Sequence, residues 1–220
     1  MEKRLENKVA IVTGGGSGIG RATSILFAKE GAKVVVAEIN RESGQGTADQ
    51  IKKAGGDATF VPVDVSRTTD LKKMVQTAVS TYGRLDILVN NAGIAGDTLD
   101  RTTEEDWHRL IDINLTSVLL GCQYAIPEIR KQSGGSIINI ASIGGIMGFA
   151  TLVPYCATKG GVVLLSKSLA KMLGPEKIRV NCVCPGPTET GLTLAFLGHP
   201  ATPEEERQKR TTRLAAVPLG

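Results

Sequence analysis

A tyrosine and a lysine stand four residues apart at Tyr155 and Lys159, and Ser142 lies a short way upstream at the end of an apolar run. Residues at i and i+4 of a helix share one face, so the phenol and the ammonium would project into the same space. A nearby cation favours the phenolate and lowers its pKa from the usual value of about 10. Such pairs also occur by chance in many helices. If Tyr155 moves a proton, Ser142 can hold a substrate oxygen beside it.

The N-terminal part of the chain has the pattern of a strand, a glycine-rich turn and a helix. Residues 8–12 are mostly apolar, residues 13–20 are rich in glycine, and an amphipathic helical pattern then runs to Gly31. Such a turn lets the backbone approach a pyrophosphate, whose charge the helix N-terminus stabilises. The gap between Gly14 and Gly18 is wider than in the common dinucleotide fingerprint, and flexible linkers have similar glycine-rich sequences. The position between a strand and a helix favours nucleotide binding.

Glu38 ends the second apolar run, close to the expected distance from the last glycine for an acid that binds the adenosine ribose. A carboxylate there accepts hydrogen bonds from the ribose hydroxyls and repels a 2′-phosphate. Two other interpretations remain open: Glu38 is a solvated strand end, or Arg41 turns toward a phosphate. Because the glycine turn carries Ser17 and no basic residue, the pattern favours NAD over NADP.

Strand-like and helix-like segments alternate along the chain, which predicts an α/β fold with a doubly wound, Rossmann-type parallel sheet in a three-layer, single-domain sandwich. Ligands of such sheets bind beyond the carboxyl ends of the strands. The predicted strands cover residues 8–12, 34–37, 59–63, 85–90, 136–142 and 178–183. Polar residues follow or end these strands at Thr13, Glu38, Asp64, Asn90 and Ser142.

Three more motifs complete a recognisable set. Residues 90–93 read Asn-Asn-Ala-Gly after a strand, Asn114 lies in a helix opened by residues 102–105, and Pro185 and Gly186 follow the last predicted strand. With the glycine turn, Ser142 and the Tyr155/Lys159 pair, they make the chain resemble the classical short-chain dehydrogenase/reductase family. The resemblance covers almost the whole length, in the family's order and spacing.

This resemblance implies a catalytic set and a function. Tyr155 would be the general acid/base, and Lys159 would hold the nicotinamide ribose and depress the phenol pKa. Ser142 would orient the substrate oxygen, and Asn114 would position a water that relays protons through Lys159. The implied activity is hydride transfer between NAD and a small, mainly apolar secondary alcohol or ketone.

The resemblance also implies where the cofactor lies. Its pyrophosphate, adenine, ribose and nicotinamide would each meet a separate part of the chain. The implied cofactor-binding residues are Thr13, Gly14, Ser17, Gly18, Ile19 and Gly20 at the turn, Glu38 at the ribose, Asp64 and Val65 at the adenine, Asn90, Ala92 and Gly93 beside the adenine ribose, and Tyr155, Lys159, Pro185, Gly186 and Thr190 at the nicotinamide end.

The substrate region is expected to be mostly apolar, although core packing would suit the same residues. The family places a mobile lid at about residues 187–213. It normally continues with another helix and a last strand beyond the point where this sequence stops, so those elements are expected to be missing. The residues expected to flank the reacting centre are Ile94, Ile143, Ile146, Met147, Phe149, Leu152 and Val153.

Composition excludes several other classes. The 220 residues suit one domain, and a net charge of +4 with few aromatic residues argues against a nucleic-acid partner. Four cysteines and two histidines show no metal-ligand spacing, so no metal is expected. No apolar stretch is expected to be long enough to span a membrane, and the N-terminus lacks a secretory hydrophobic region, which predicts a cytoplasmic protein.

Two long helices, at about residues 103–130 and 152–173, carry apolar residues around more than one face. A second face of each helix must be buried, and the resemblance implies that these helices pair in a homodimer, or in a homotetramer if the missing tail is present. Two alternatives to the NAD enzyme remain. One is an NADPH-dependent 3-oxoacyl-thioester (acyl carrier protein) reductase, and the other is a non-catalytic NAD-binding sensor, against which the intact catalytic set argues.

Overall fold

The computed structural model describes residues 3–192 and 202–214. Within them, six parallel strands form one sheet in the order β3-β2-β1-β4-β5-β6. The order reverses next to β1, as in a doubly wound sheet, so the predicted fold class is confirmed. The strands are β1 Val9–Thr13, β2 Lys33–Glu38, β3 Asp57–Pro62, β4 Ile87–Asn90, β5 Gly135–Ile140 and β6 Ile178–Val183.

Helices connect the strands and cover both faces of the sheet. A π-helical turn, Asp112–Thr116, joins α4 to α5 without a break, and a short 3-10 helix at Ile143–Gly145 precedes α6. The helices are α1 Gly18–Lys29, α2 Arg41–Lys53, α3 Thr68–Tyr82, α4 Glu104–Ile111, α5 Ser117–Arg130, α6 Val153–Leu173 and α7 Pro203–Leu214.

Each face of the sheet has its own apolar core. On β1, Ala10 and Val12 pack toward α1 and α2, whereas Val9 and Ile11 belong to the cluster formed with α3, α5 and α6. Alternate residues of a strand point to opposite faces, so a strand covered on both sides must be apolar throughout. This explains why the strand segments could be read as continuous apolar runs.

The third strand begins two residues earlier than predicted. Asp57 and Ala58 pair with Lys33 and Val34 of β2, and β3 ends at Pro62. Asp57 looks like a turn residue in the sequence, but it lies at the start of the strand, where its carboxylate accepts a hydrogen bond from the Tyr82 hydroxyl at 2.9 Å. A long-range contact therefore extends the strand beyond its apolar run.

The continuous helix Glu104–Arg130 has 27 residues and contains an 18-residue window with a mean hydropathy of 1.2, which is enough to cross a membrane by length and composition only. On that test alone, this helix is an exception to the expectation that no apolar stretch is long enough. Its inner residues Val118, Cys122 and Ile126 pack in the sheet core. A core helix passes the same length and composition test, so the apolar character has a structural explanation.

Candidate active site

A cavity of about 770 Å³ lies at the carboxyl ends of the strands, where the sequence places its polar residues. Ser142, Tyr155 and Lys159 line it at one end, and Glu38 and Asp64 line it at the other. The fold therefore brings together residues from widely separated parts of the chain. The other predicted site residues that line the cavity are Gly14, Ser17, Gly18, Ile19, Val65, Ala92, Gly93, Pro185, Gly186 and Thr190.

Ser142 is held beside Tyr155 by the end of β5. It caps the 3-10 turn that follows, and its Oγ accepts a hydrogen bond from the Gly144 N–H at 3.1 Å. The hydroxyl also shares a hydrogen bond with the Tyr155 phenol. With one lone pair occupied by the backbone, the Ser142 hydroxyl keeps a fixed position next to the phenolic oxygen. This arrangement suits two groups that share one substrate oxygen.

Lys159 is almost completely buried, with 3 % of its surface exposed. Its Nζ donates a hydrogen bond to the main-chain oxygen of Ile140 at 3.0 Å and lies 5.8 Å from the centre of the Tyr155 ring. Burial disfavours the charged form and lowers the pKa of Lys159 to about 8, although Cys182 and Cys184 nearby oppose this shift. The lysine therefore titrates close to neutral pH.

The pKa of the Tyr155 phenol differs from the expectation. It is raised, because burial disfavours the phenolate more than the Ser142 hydrogen bond favours it. The expected depression by Lys159 is not seen here: its Nζ donates a hydrogen bond to Ile140 and lies 5.8 Å from the centre of the Tyr155 ring. The sequence spacing correctly places the two side chains on one helix face but does not specify where the Nζ atom points.

Asn114 sits in the π-helical turn between α4 and α5 and is fully buried. Its amide forms two hydrogen bonds with the backbone of Ile94, accepting from the N–H at 2.9 Å and donating to the oxygen at 3.0 Å. A Cβ built on Gly93 would lie 3.1 Å from Asn114 Oδ1 and 3.4 Å from Lys159 Nζ. Asn114 is thus close to the lysine, and its water-positioning role stays a prediction. π-Helical turns of this kind are frequent at functional sites.

The glycine turn has a shape that requires glycine. Gly14 and Gly18 have φ angles of +63° and +49°, and a Cβ on Gly20 would stand 2.1 Å from the Gly14 main-chain oxygen. Gly18 begins α1, so the helix N-terminus opens into the cavity. Small residues, free backbone approach and a helix dipole together suit the pyrophosphate of a dinucleotide.

The carboxylate of Glu38 is buried at the far end of the cavity from Tyr155. Its two oxygens accept hydrogen bonds from the N–H groups of Gly16 at 3.0 Å and Asn40 at 3.1 Å. Within the described residues it forms no ion pair, and the cavity-lining cations are Lys159 and Arg109. Arg41 is exposed and does not line the cavity. This end of the cavity therefore presents a buried carboxylate.

Four predicted site residues do not line the cavity: Thr13, Gly20, Asn90 and Asn114. Thr13 Oγ1 accepts hydrogen bonds from the N–H groups of Asn91 at 2.9 Å and Ala92 at 3.0 Å. It therefore joins the turn after β1 to the turn after β4. The predicted contact of Thr13 with the pyrophosphate stays a prediction.

Asn90 is the last residue of β4, and its place beside the adenine ribose stays a prediction. Its side chain is buried in the core, where Nδ2 donates to Asn139 Oδ1 at 2.9 Å and to Cys122 Sγ at 3.3 Å. Asn139 Nδ2 in turn donates to Ser166 Oγ at 2.9 Å. These residues form a buried polar chain that links β4, β5 and α6 below the cavity.

The sequence model of the family described as short chain dehydrogenase matches residues 8–197 of this chain. The chain belongs to the short-chain dehydrogenase family. Members of this family are oxidoreductases that bind a nicotinamide cofactor, and the geometry above supplies a site for one. The predicted lid, residues 187–213, is described in part only, because residues 193–201 lie outside the described residues, as do residues 215–220.

Three short-chain dehydrogenases illustrate the range of relatives. A 3-oxoacyl-(acyl-carrier-protein) reductase of Thermotoga maritima is 40% identical over 218 residues, covering 99% of this chain and 85% of its own. A 2,5-dichloro-2,5-cyclohexadiene-1,4-diol dehydrogenase of Sphingobium indicum is 40% identical over 221 residues, covering 100% and 86%. The crystal structure of a levodione reductase superposes with a TM-score of 0.89 at 31% identity, covering 94% and 81%.

Sequence reasoning missed two residues of this short-chain dehydrogenase site. Asn91 Nδ2 donates to the main-chain oxygens of Thr13 at 2.9 Å and Gly14 at 3.3 Å, which fixes the glycine turn. Arg109 lines the cavity from α4. The pairing of Asn91 with the turn is long-range and leaves no local signal. For Arg109, the spacing of four residues to Ile113 was an available signal.

The apolar substrate region is largely where the sequence predicts it. Ile94, Ile143, Met147, Phe149 and Leu152 line the cavity near Tyr155. The two exceptions are Ile146, with 71 % of its surface exposed, and Val153, with 42 % exposed, and neither lines the cavity. Ile146 follows the 3-10 turn and Val153 opens α6, so both side chains project outward.

Proposed function

We propose that the protein is an NAD-dependent oxidoreductase that transfers a hydride between nicotinamide and a small, mainly apolar secondary alcohol or ketone. The observation that carries this proposal is the convergence of Ser142, Tyr155 and Lys159 on one cavity whose opposite end holds the Glu38 carboxylate. NAD, when bound, would accept or supply the hydride. The residues of this chain would manage the proton and the orientation of the substrate.

The proton step follows from the positions of the side chains. During oxidation, the carbinol oxygen lies between the Ser142 hydroxyl and the Tyr155 phenol, and the ionised phenol accepts the hydroxyl proton. During reduction, the neutral phenol returns that proton to the carbonyl oxygen. The charged form of Lys159, whose Nζ lies 5.8 Å from the centre of the Tyr155 ring, would favour the ionised phenol, whereas burial of the phenol opposes its ionisation.

The preference for NAD is supported by charge. An NADP 2′-phosphate would lie near the buried carboxylate of Glu38, and no cation of the described chain lines the cavity at that end. Bringing a phosphate dianion near an unpaired carboxylate is unfavourable in a poorly hydrated site. The ribose hydroxyls of NAD can instead donate hydrogen bonds to the remaining lone pairs of Glu38.

The substrate is proposed to be a compact ring or chain with few polar groups. The lining near Tyr155 is formed mainly by Ile94, Ile113, Met147, Phe149 and Leu152, which favours an apolar body. The named six-membered-ring diol dehydrogenase among the relatives supports a cyclic alcohol. The compartment proposed for the enzyme is the cytoplasm, where its four free cysteines would stay reduced.

An NADPH-dependent 3-oxoacyl-thioester reductase is the second candidate, favoured by the 40% identity to the Thermotoga maritima reductase. One assay separates the candidates. The purified protein is given NAD or NADP with cyclic alcohols, and NADH or NADPH with cyclic ketones and an acetoacetyl thioester, and nicotinamide absorbance is followed. The proposal expects turnover of the cyclic alcohols with NAD. Faster reduction of the thioester with NADPH would favour the second candidate, and cofactor binding without any turnover would favour a sensor.

A further inference from the structure

Arg109 introduces a positive charge into an otherwise apolar part of the cavity. The lining near Tyr155 consists mainly of aliphatic and aromatic side chains, whereas the carboxylates Glu38 and Asp64 lie at the other end. The two cations that line the cavity within residues 3–192 are Lys159, which is committed to Ile140, and Arg109. A guanidinium presents a fixed fork of hydrogen-bond donors and stays charged at every working pH.

The helix geometry directs Arg109 toward the cavity. Ile113, four residues further along the same continuous helix, also lines the cavity, so both residues share a face. Leu110 is buried next to Gly96, and a Cβ on Gly96 would lie 2.9 Å from Leu110 Cδ2 and 3.8 Å from the Tyr155 main-chain nitrogen. The helix therefore approaches the first turn of α6, which places Arg109 at the catalytic end of the cavity.

The guanidinium is available for a ligand. Arg109 is exposed, and no hydrogen bond or ion pair joins its side chain to another residue in the part of the chain that the structure describes. Asp106 bonds to Thr103 and interacts with the Arg109 charge only at longer range. Arg41 and Arg179 are likewise without an ion pair among the described residues, but of these three arginines Arg109 alone lines the cavity. A cation at a cavity wall without a close protein partner is suited to a polar group of the substrate.

We propose that Arg109 is a specificity-determining residue that binds a second oxygen of the substrate, across the ring from the reacting carbinol. The inference rests on the proposed alcohol oxidation and names the substrate class more narrowly: six-membered-ring 1,4-diols and the corresponding hydroxyketones. With one oxygen between Ser142 and Tyr155, a para oxygen projects away from them and toward the cavity wall. The 1,4-diol named for the Sphingobium indicum relative has this arrangement of oxygens.

A comparison of two alcohols tests the proposal. The full chain is assayed with NAD on cyclohexanol and on trans-1,4-cyclohexanediol, as are the variants Arg109→Met and Arg109→Lys. A hydrogen bond from a charged donor supports about ten-fold preference for the diol in kcat/KM. Arg109→Met should abolish this preference through a higher KM for the diol, so that the ratio of the two kcat/KM values falls to about one. Arg109→Lys should keep part of the preference for the diol.

Arg101 provides the matched control, since it is exposed shortly before α4 and does not line the cavity. Arg101→Met should leave the ratio of the two kcat/KM values unchanged. An equal loss for both alcohols in Arg109→Met, or no change in their ratio, would overturn the role of Arg109 while the oxidoreductase proposal stands. If the parent oxidises neither alcohol with NAD or NADP, the substrate proposal itself fails and this inference falls with it.

Discussion

Lys159 Nζ donates a hydrogen bond to the main-chain oxygen of Ile140 at 3.0 Å. An ammonium from the first half of α6 is therefore held at the carboxyl end of β5. The contact binds the helix that carries Tyr155 to the strand that leads into Ser142. It also requires that a charged group be buried, and the lowered pKa of Lys159 records the cost of this burial. The buried contact that positions Lys159 therefore also lowers the stability of the fold.

Lys159→Met should abolish turnover and yet stabilise the fold near neutral pH. The native state binds the lysine proton less tightly than the unfolded chain does, because the pKa is about 8 instead of 10.5. This penalty is fully present below pH 8 and disappears as pH rises toward 10.5. We expect a gain of about 2 kcal/mol at pH 7 that shrinks with pH. Urea unfolding between pH 7 and 10 measures it, with Lys167→Met as an exposed control on the same helix. A variant less stable than the parent at pH 7 would contradict the argument.

Tyr155→Phe should remove the transferable proton and leave cofactor binding within about two-fold. Loss of a general acid/base lowers rate by roughly 10²- to 10⁴-fold. Steady-state kinetics and a fluorescence titration with NADH separate the two effects. The control is Tyr124→Phe, which removes the same hydroxyl group from a tyrosine of α5 that does not line the cavity. Turnover of Tyr155→Phe close to that of the parent would contradict the assignment of Tyr155 as the general acid/base.

Glu38→Gln should weaken NAD binding by about ten-fold and improve NADP binding, because it removes a charged acceptor and a repulsive charge at the same point. Glu42→Gln, a few residues later in the first turn of α2, keeps Glu38 intact and serves as the control. Calorimetric titration with both cofactors gives the two affinities. Tighter binding of NADPH than NADH by the parent would show that the inferred cofactor preference is wrong.

Thr13→Val should destabilise the protein by about 1–3 kcal/mol, because it leaves the N–H groups of Asn91 and Ala92 without their acceptor. Thr13→Ser retains the hydroxyl and should lose much less. The midpoint of urea unfolding compares the two variants. Equal stability of Thr13→Val and the parent would show that these hydrogen bonds do not hold the two turns together.

Assembly as a homodimer through α5 and α6 remains a prediction, and Leu164 offers a test. This side chain is 66 % exposed on α6, and Leu119 of α5 and Met172 of α6 are also exposed. A charge buried in such an interface without a partner is costly, so Leu164→Glu should dissociate the dimer. Light scattering at micromolar concentration measures the mass, and Leu26→Glu on α1 is the control. A monomeric parent would refute the interface.

The sequence was sufficient for the fold class because strands buried on both faces are apolar throughout, and glycine-rich turns separate them from helices. It was also sufficient for the joint placement of Ser142, Tyr155 and Lys159 at the cavity. It could not show which partners the side chains of Thr13 and Asn90 bond to. A polar residue at a strand end can turn either way, and the direction depends on partners such as Asn91 and Asn139, which are distant in sequence.

The buried contact between Asn90 and Asn139 has a consequence for how the sheet assembles. The two residues are register partners on β4 and β5, and their side chains meet on one face of the sheet. If either strand slipped by one residue, the amides would face opposite sides and remain buried without partners, at a cost of about 1–3 kcal/mol for each group. Apolar neighbours such as Val89 and Ile138 tolerate such a slip far better, since their contacts are not directional. The asparagine pair therefore favours one alignment of β4 and β5 over alignments shifted by one residue.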